Sequence, residues 1–277
     1  MKTVTEQDYR ERIRRTLSYI EDRLDDALDL DQVAGVAAFS PYHFHRIFRA
    51  MVGEGLMTYV RRLRLERAAR ELKQGDRPVT QIAFDAGFET HEAFTRAFGD
   101  RFGQSPSAYR AAAVNRAPEY REIPPVAIED LPAMRLLFLR HVGPYAEVGQ
   151  AWWRLMSWAG MRGMLGPNMK LIGIVHDDPE ITPADKVRYD AAVTVDRAAQ
   201  AEGEFGILEI AASKYGLITH RGPYDQMSAT YQQLYGGWLP KSGYEPADSP
   251  AFEQYLNSPQ DTKPEDLLTK IHVPLKT

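Results

Sequence analysis

One stretch of this sequence carries hydrogen-bonding side chains at helical spacing. In FSPYHFHRIF, residues 39–48, and the three residues after it, apolar side chains recur at intervals of three and four and predict one buried stripe: Phe44, Ile47, Phe48 and Met51. The opposite side presents groups suited to the edges of DNA bases: Tyr42, His45, Arg46 and Arg49. The alternative interpretation is an ordinary helix with a solvated polar face.

A carboxylate far along the chain suggests a different chemistry. In AFEQYL, residues 251–256, strand periodicity puts Glu253 and Tyr255 on one face and Phe252 on the other. An acidic group among aromatic rings suits a cationic or amphipathic ligand, and the rings available are those of Tyr145, Trp152, Tyr224, Tyr231 and Trp238. The alternative is an exposed glutamate on an edge strand, with most of those rings in helix cores.

Helices must position the first group. The spacing predicts a helix over residues 8–27, then a short helix in LDQVAGVAAF, a tight turn, and a second helix with Ser40 as its N-cap and Pro41 at its first position. This layout is that of a helix-turn-helix. An arginine-rich helix over residues 56–73 follows, and the plan repeats at an offset of 49 to 50 residues, so that Phe44 and Phe48 match Phe94 and Phe98. Arg61 and Arg62 on the arginine-rich helix are candidates for phosphate contact or solvated side chains.

The second half of the chain indicates strands. A linker at residues 113–122 is predicted from the three prolines and mixed charge of residues 115–125, between a unit at 8–112 and one at 123–277. HVGPY at 141–145 and HRGPY at 220–224 mark another duplication, each copy reading as strand–helix–strand–strand. The helices are expected on one face of a sheet, with Glu253 on the opposite, concave face.

Composition limits the possible functions. Cysteine is absent, which excludes disulfides and thiolate metal sites. No phosphate loop, Ser-His-Asp order or metal-ligand spacing is visible, so no catalytic residue, metal or cofactor is predicted. Neither an apolar leader nor an apolar run of about 20 residues is present, and a cytoplasmic protein is expected. The net charge of −4 conceals a basic stretch, because residues 40–73 hold 8 basic and 3 acidic side chains.

The first half resembles the DNA-binding domain of AraC/XylS-type transcriptional regulators. The matching stretches are SPYHFHRIF at 40–48, RRLRLERA at 61–68, IAFDAGF at 82–88, FTRAF at 94–98 and FGQSPSAYR at 102–110. The resemblance implies an all-α double helix-turn-helix that reads about two turns of DNA, with Tyr42, His45 and Arg46 facing bases. In the second unit it implies that His91, Glu92, Thr95 and Arg96 do so. Glu92 repels phosphate, so a weaker, more selective second unit is expected.

Residues 120–277 resemble the GyrI-like effector-binding domain found in Rob-type and multidrug-sensing regulators. The matching stretches are the two HxGPY motifs, HDDPEITPADKVRYD at 176–190, FEQYLN at 252–257 and the terminal IHVPL. The resemblance implies an α+β fold in which Glu253 is the acidic residue of the ligand pocket.

Together the two resemblances imply a transcriptional regulator that is not an enzyme. Its expected partners are promoter DNA, RNA polymerase and a small-molecule effector. A C-terminal domain that hydrolyses reactive toxins and a protein-interaction module remain the alternatives.

Overall fold

The chain forms two compact units, Met1–Ala117 and Pro118–Thr277. The computed structural model describes residues 2–116, 123–196, 198–247 and 249–276. Of the predicted linker, residues 113–116 continue a helix, whereas residues 117–122 lie outside the described residues. Among the described residues, no helix is long and apolar enough to cross a membrane. The same part of the chain contains no group of three or more His, Asp or Glu side chains that could hold a metal ion.

The first unit is built from helices. They are α1 (Lys2–Asp22), α2 (Leu30–Val36), α3 (Pro41–Val52), α4 (Leu56–Gln74), α5 (Val79–Asp85), α6 (His91–Phe102) and α7 (Pro106–Arg116). Helix α1 ends at Asp22, before the predicted end at residue 27. A longer helix would place the negative charges of Asp25 and Asp26 at its C-terminal end, where the helix dipole disfavours them.

The two helix-turn-helix units are α2–α3 and α5–α6, and their cores are alike. Phe44 and Phe48 are fully buried with ring centroids 5.4 Å apart, and Phe94 and Phe98 are fully buried at 5.5 Å. Helix α4 lies between the units and buries most of its apolar residues. Ser40 occupies the N-cap position of α3 but makes no side-chain cap hydrogen bond, contrary to its predicted role.

The second unit is one antiparallel sheet with helices on one face. The strands are β1 (Ala127–Leu131), β2 (Met134–Val142), β3 (Leu171–Val175), β4 (Arg188–Thr194), β5 (Phe205–Ile210), β6 (Ser213–Arg221), β7 (Ala251–Tyr255) and β8 (Leu268–Leu275). Their order is β1-β6-β8-β7-β3-β4-β2-β5. The predicted fold class is confirmed, and each copy of the duplicated unit begins with one strand more than the sequence indicated. These extra strands, β1 and β5, are the two edges of the sheet.

The helix after β2 and its counterpart after β6 differ in form. The first copy has α8 (Val148–Met161), an uninterrupted α-helix. The second has α9 (Met227–Gln232), a π-helical segment (Gln233–Trp238) and α10 (Leu239–Ser242). Before the π-helical segment the two copies correspond at an offset of 79 residues, as Trp152 and Tyr231 show. Beyond it the offset is 80 residues, as shown by Gly163 and Gly243, which both have positive φ. The π-helical turn therefore absorbs a one-residue insertion.

The centre of the sheet lies between β3 and β7. Gly173 and Glu253 face each other across these strands and occupy matching positions in the two copies. Because β7 has β8 on its other side, Glu253 lies on an interior strand, and the edge-strand alternative is wrong. The expected location on the face opposite the helices is also wrong, since the hydroxyl of Tyr231 on α9 donates to the Glu253 carboxylate. Strand periodicity separates two faces but does not indicate which of them receives the helices.

Candidate functional site

Helix α3 exposes the polar side chains expected to read DNA. Tyr42, His45, Arg46 and Arg49 are all exposed, and Tyr42 is 69% accessible. The Arg46 guanidinium lies 5.6 Å from the centroid of the Tyr42 ring, so the two side chains support one another near the start of the helix. A helix face of this kind has the donors suited to a groove about 12 Å wide.

Helix α6 presents a different surface. Thr90 caps its N-terminus by accepting a hydrogen bond of 3.1 Å from the Ala93 N–H. Glu92 and Arg96 are exposed and His91 is half-buried, but Thr95 directs its hydroxyl inwards, where Oγ1 has no hydrogen-bond partner. Glu92 lies in the first turn, where a negative charge favours the helix dipole. Of the four predicted contacts, Thr95 therefore does not offer its hydroxyl at the surface.

Much of the basic charge of α4 is used inside the unit. Arg64 donates to two backbone carbonyls beyond α1, at 2.8 Å each, and Arg67 donates to a carbonyl at the end of α5 at 3.1 Å. Arg62 pairs with two glutamates and is only 10% exposed, so it is neither a solvated residue nor a ready phosphate contact. Arg61 remains exposed. The local excess of arginine thus overstates the charge available to DNA.

In the second unit, Glu253 lies beneath the helices with both carboxylate oxygens occupied. Oε1 accepts a hydrogen bond of 2.9 Å from the Tyr231 hydroxyl, and Oε2 accepts one of 2.5 Å from the Tyr255 hydroxyl. The residue is 4% exposed. A buried carboxylate without a basic partner needs such donors to offset its lost hydration.

The hydrogen bonds around Glu253 form a directed chain. Because Tyr255 gives its only proton to Glu253, its oxygen accepts from the Tyr189 hydroxyl, 2.8 Å away. The indole N–H of Trp152 donates in turn to Tyr189 at 3.1 Å. Every donor in this chain points toward the carboxylate, which stabilises its ionised form.

Burial and hydrogen bonding act in opposite directions on this site. Burial raises the pKa of Glu253 above its ordinary value, although the hydrogen bonds from Tyr255 and Tyr231 oppose the increase. Burial, together with the Glu253 charge, raises the pKa of Tyr231 and Tyr255 well above the ordinary value of a phenol. The tyrosines therefore remain donors, and the carboxyl is the group whose charge can change.

The structure brings together most of the residues predicted to bind a ligand. Trp152 and Tyr224 pack edge-on against Tyr255, with ring centroids 5.6 and 5.4 Å apart. Tyr145 packs edge-on against Tyr189 and donates its hydroxyl to the backbone carbonyl of Asp177. Tyr224 is 37% exposed and lies at the outer side of the group.

Trp238 makes other ring contacts than the aromatic residues around Tyr255. It stacks on Tyr244 with ring centroids 6.3 Å apart and belongs to the apolar cluster under α9. Its ring also lies 3.1 Å from the position that a Cβ on Gly216 would occupy. Tyr231 packs against the same cluster, so Trp238 shares apolar neighbours with the Glu253 group.

Sequence reasoning missed Tyr189 and Gly173. Tyr189 is 2% exposed and connects the tryptophan to the carboxylate. A Cβ on Gly173 would lie 2.7 Å from the Tyr255 hydroxyl and closer still to that of Tyr189. A glycine within the apolar run LIGIV is a sign of such a close approach, and it could have indicated this site.

The duplicated histidines are structural. The Nε2–H of His141 donates to the Pro144 carbonyl, and that of His220 donates to the Pro223 carbonyl, both at 3.1 Å. Each ring therefore closes the turn of its own HxGPY motif. This accounts for the repetition of the motif without a role in chemistry.

Comparisons with known proteins agree with both units. The family described as GyrI-like small molecule binding domain matches residues 124–276, and that described as helix-turn-helix domain matches residues 33–112. The chain is 38% identical over 108 residues to the right origin-binding protein of Escherichia coli K12, which covers 39% of this chain and 36% of that relative. It therefore spans about a third of the length of this relative.

Two further similarities concern a short regulator and a solved structure. The regulatory protein SoxS of Escherichia coli K12 is 35% identical over 98 residues, covering 35% of this chain and 92% of SoxS. A cryo-EM structure of the EcmrR–DNA complex in EcmrR-RPo is similar with a TM-score of 0.50 at 14% identity, covering 90% of this chain and 99% of that one, which supports the fold alone. The resemblances stated from the sequence are confirmed: the chain belongs to the GyrI-like small molecule binding domain family and carries an AraC-type helix-turn-helix domain at its N-terminal end.

Proposed function

We propose that the chain is a cytoplasmic transcriptional regulator that binds promoter DNA through α3 and α6 and senses a small molecule at Glu253. RNA polymerase is its proposed protein partner. The exposed donors of α3 support the first part, with Tyr42, His45, Arg46 and Arg49 as contacts. In the second helix-turn-helix unit the proposed contacts are His91, Glu92 and Arg96.

The observation that carries the sensing part is the enclosed carboxylate. Glu253 has no cationic side chain among its hydrogen-bond partners, and its two donors are neutral hydroxyls. A cation that reaches it gains ion pairing in a site from which water is largely excluded. The rings of Trp152, Tyr224 and Tyr255 add aromatic surface for a positive charge or an apolar group.

We propose binding rather than catalysis at this carboxylate. Both of its oxygens already accept hydrogen bonds from tyrosines. These hydrogen bonds stabilise the ionised form and so weaken the carboxylate as a general base. The tyrosine network instead holds the negative charge in place for a ligand.

A ligand screen coupled to DNA binding tests the proposal. The intact protein is melted with aryl quaternary ammonium cations and with their neutral tert-butyl isosteres, which have nearly the same shape. The cations are expected to raise the melting temperature more than the isosteres. DNA binding by the intact protein is then measured on duplexes selected from random sequence, with and without a cation that binds. The affinity of the protein for these duplexes should fall as the salt concentration rises.

Three results would contradict parts of this proposal. Equal stabilisation by both members of each pair argues against Glu253 as the anchor. Chemical conversion of a bound compound, abolished in Glu253→Gln, argues for an enzyme. Failure of the intact protein to enrich any duplex argues against DNA binding.

A further inference from the structure

Four charged side chains form a continuous network along α4. Glu54 follows α3, Arg62 and Glu66 lie on α4, and Arg101 lies in the last turn of α6. Arg62 donates to Glu54 Oε1 at 2.7 Å through Nη2 and at 3.0 Å through Nε. It also donates to Glu66 Oε2 at 3.1 Å, while Arg101 donates to Glu66 Oε1 at 2.7 Å. The network thus joins the C-terminal ends of the two recognition helices.

The members of this network are buried to different degrees. The side chain of Glu66 is 2% exposed, that of Arg62 10% and that of Arg101 28%. Glu66 therefore depends on its two arginines, because a buried carboxylate that loses a partner is strongly unfavourable. An arginine with several fixed hydrogen bonds also has little freedom to move, so the geometry is well defined.

The duplication does not explain the network. At the repeat offset of 50, Arg101 corresponds to Met51 and Glu54 corresponds to Gln104. Met51 is 41% exposed and cannot form an ion pair. The buried phenylalanines, in contrast, are the same in both copies. Among the described residues neither Arg101 nor Glu54 therefore has a charged counterpart in the other copy, and the network at the junction is additional to the core that each helix-turn-helix unit needs.

We propose that Glu66, held between Arg62 and Arg101, is a positioning residue that fixes the two recognition helices relative to one another and so sets the spacing of the two half-sites. This inference rests on the proposed DNA-binding function. One inserted base pair moves a half-site by about 3.4 Å and turns it by about 35°. Two helices with a fixed relative position tolerate such a change poorly. Two helices that can move relative to one another can adapt to it, at some cost in affinity.

The first test measures tolerance of spacing by the full chain. A duplex selected from random sequence by the wild type is compared with the same duplex carrying one inserted base pair between half-sites. The wild type is expected to lose about tenfold or more in affinity on insertion, and Glu66→Gln and Arg101→Met only about threefold or less. Arg101→Met introduces methionine, the residue found at the matching position, Met51, of the first helix-turn-helix unit. The controls Glu6→Gln and Arg10→Met change charge equally at an exposed pair of α1 and should behave as the wild type.

A second measurement needs no DNA. Because the chain has no cysteine, Ala50→Cys and Asp100→Cys, at exposed and matching positions of α3 and α6, can carry one spin label each. We expect a narrow distance distribution in this background and one at least about twice as wide when Glu66→Gln or Arg101→Met is added. Melting curves confirm that each variant is folded.

The outcomes separate the inference from the proposed function. Unchanged distance widths together with an unchanged insertion penalty in both folded variants would overturn the positioning role. A variant that has lost its fold is replaced in both measurements by the other one. If the wild type selects no duplex, the proposed function fails, whatever the spin labels report.

Discussion

The two units of this chain are both duplications, and their copies differ in opposite places. In the helix-turn-helix unit the buried phenylalanines match, whereas exposed positions differ, as with Tyr42 and Glu92. In the GyrI-like unit the turn histidines match, whereas the buried centre differs, with Gly173 facing Glu253. A groove of DNA is read from outside, while a small molecule is enclosed. The copies thus differ at several of the positions where each unit would contact its proposed ligand, although Arg46 and Arg96 match.

The largest expected effect comes from adding a side chain at Gly173, opposite Glu253 in the buried centre. Gly173→Val places atoms where the hydroxyls of Tyr189 and Tyr255 lie, so both rings must move. We expect a loss of about 3 kcal/mol in unfolding free energy, at the upper end for overpacking. Denaturant unfolding measures it.

Gly166→Val is the matched control for this change. A Cβ at Gly166 meets no atom within 4 Å. A loss at Gly173 no greater than that at Gly166 would show that the tyrosine network tolerates a side chain there. Removing one hydroxyl with Tyr189→Phe should recover part of the stability of Gly173→Val.

The next effect concerns the charged side of the centre. Glu253→Gln preserves shape but removes the charge, and affinity for a cation should fall by about 2 kcal/mol. Affinity for a neutral isostere should hardly change. Titration calorimetry measures both, with the exposed Glu265→Gln as a control for net charge. Loss of affinity for both ligands, or for neither, would remove Glu253 from the role of anchor.

The decrease in cation affinity at low pH should not exceed the decrease caused by Glu253→Gln, because protonation of Glu253 removes the same charge. Burial raises the pKa of Glu253, so cation affinity should decrease as the pH falls through this raised value. In the window between the ordinary and the raised pKa, the folded state binds more protons than the unfolded state. Stability without ligand should therefore fall as the pH rises across this window. Glu253→Gln should lack both trends, and their persistence would assign them to another group.

The two recognition helices should differ in a similar way at the surface. Arg46→Ala should cost about 1.5 kcal/mol at the selected duplex if the guanidinium contacts a base, with little change on random DNA. Arg96→Ala, at the matching position of α6, should cost less, because Glu92 weakens that surface. Fluorescence anisotropy on both duplexes measures this. Equal losses on selected and random DNA would assign Arg46 to phosphate contact.

The sequence predicted features that depend on local periodicity. Helix α4 extends over Leu56–Gln74 where residues 56–73 were predicted, because its pattern and its glycine end are local signals. Strand β1 was missed because its residues are nearly all exposed and partly acidic, so no alternation marks it. Its pairing with β6 depends on residues far away in the chain.

The site was less predictable than the fold. Glu253 was identified, yet the face on which it lies depends on how the helices cross the sheet. Tyr189 was missed because its partners come from other elements, namely Trp152 and Tyr255. The basic excess of α4 also led to an overestimate of the charge available to DNA, because a charge count does not show the internal contacts of Arg62 and Arg64.

The smallest effect compares the two tight turns. Ala38 has φ of 52° and Gly87, its counterpart at an offset of 49, has φ of 76°. A side chain in this left-handed region costs about 1–2 kcal/mol, while glycine adds about 0.5–1 kcal/mol of chain entropy to the unfolded state. Ala38→Gly should therefore stabilise the protein by less than about 1 kcal/mol.

The reverse change, Gly87→Ala, should destabilise the protein by more than Ala38→Gly stabilises it. Its Cβ would overlap the guanidinium of Arg64, which also holds the backbone carbonyls beyond α1. The two turns thus differ in how an arginine meets them: Arg12 donates to the Ala38 carbonyl at 3.1 Å, whereas the Arg64 guanidinium occupies the space that a Cβ at Gly87 would need. Thermal unfolding of both variants tests the pair. A stable Gly87→Ala would mean that Arg64 moves aside freely, and the left-handed turn alone would then set the difference.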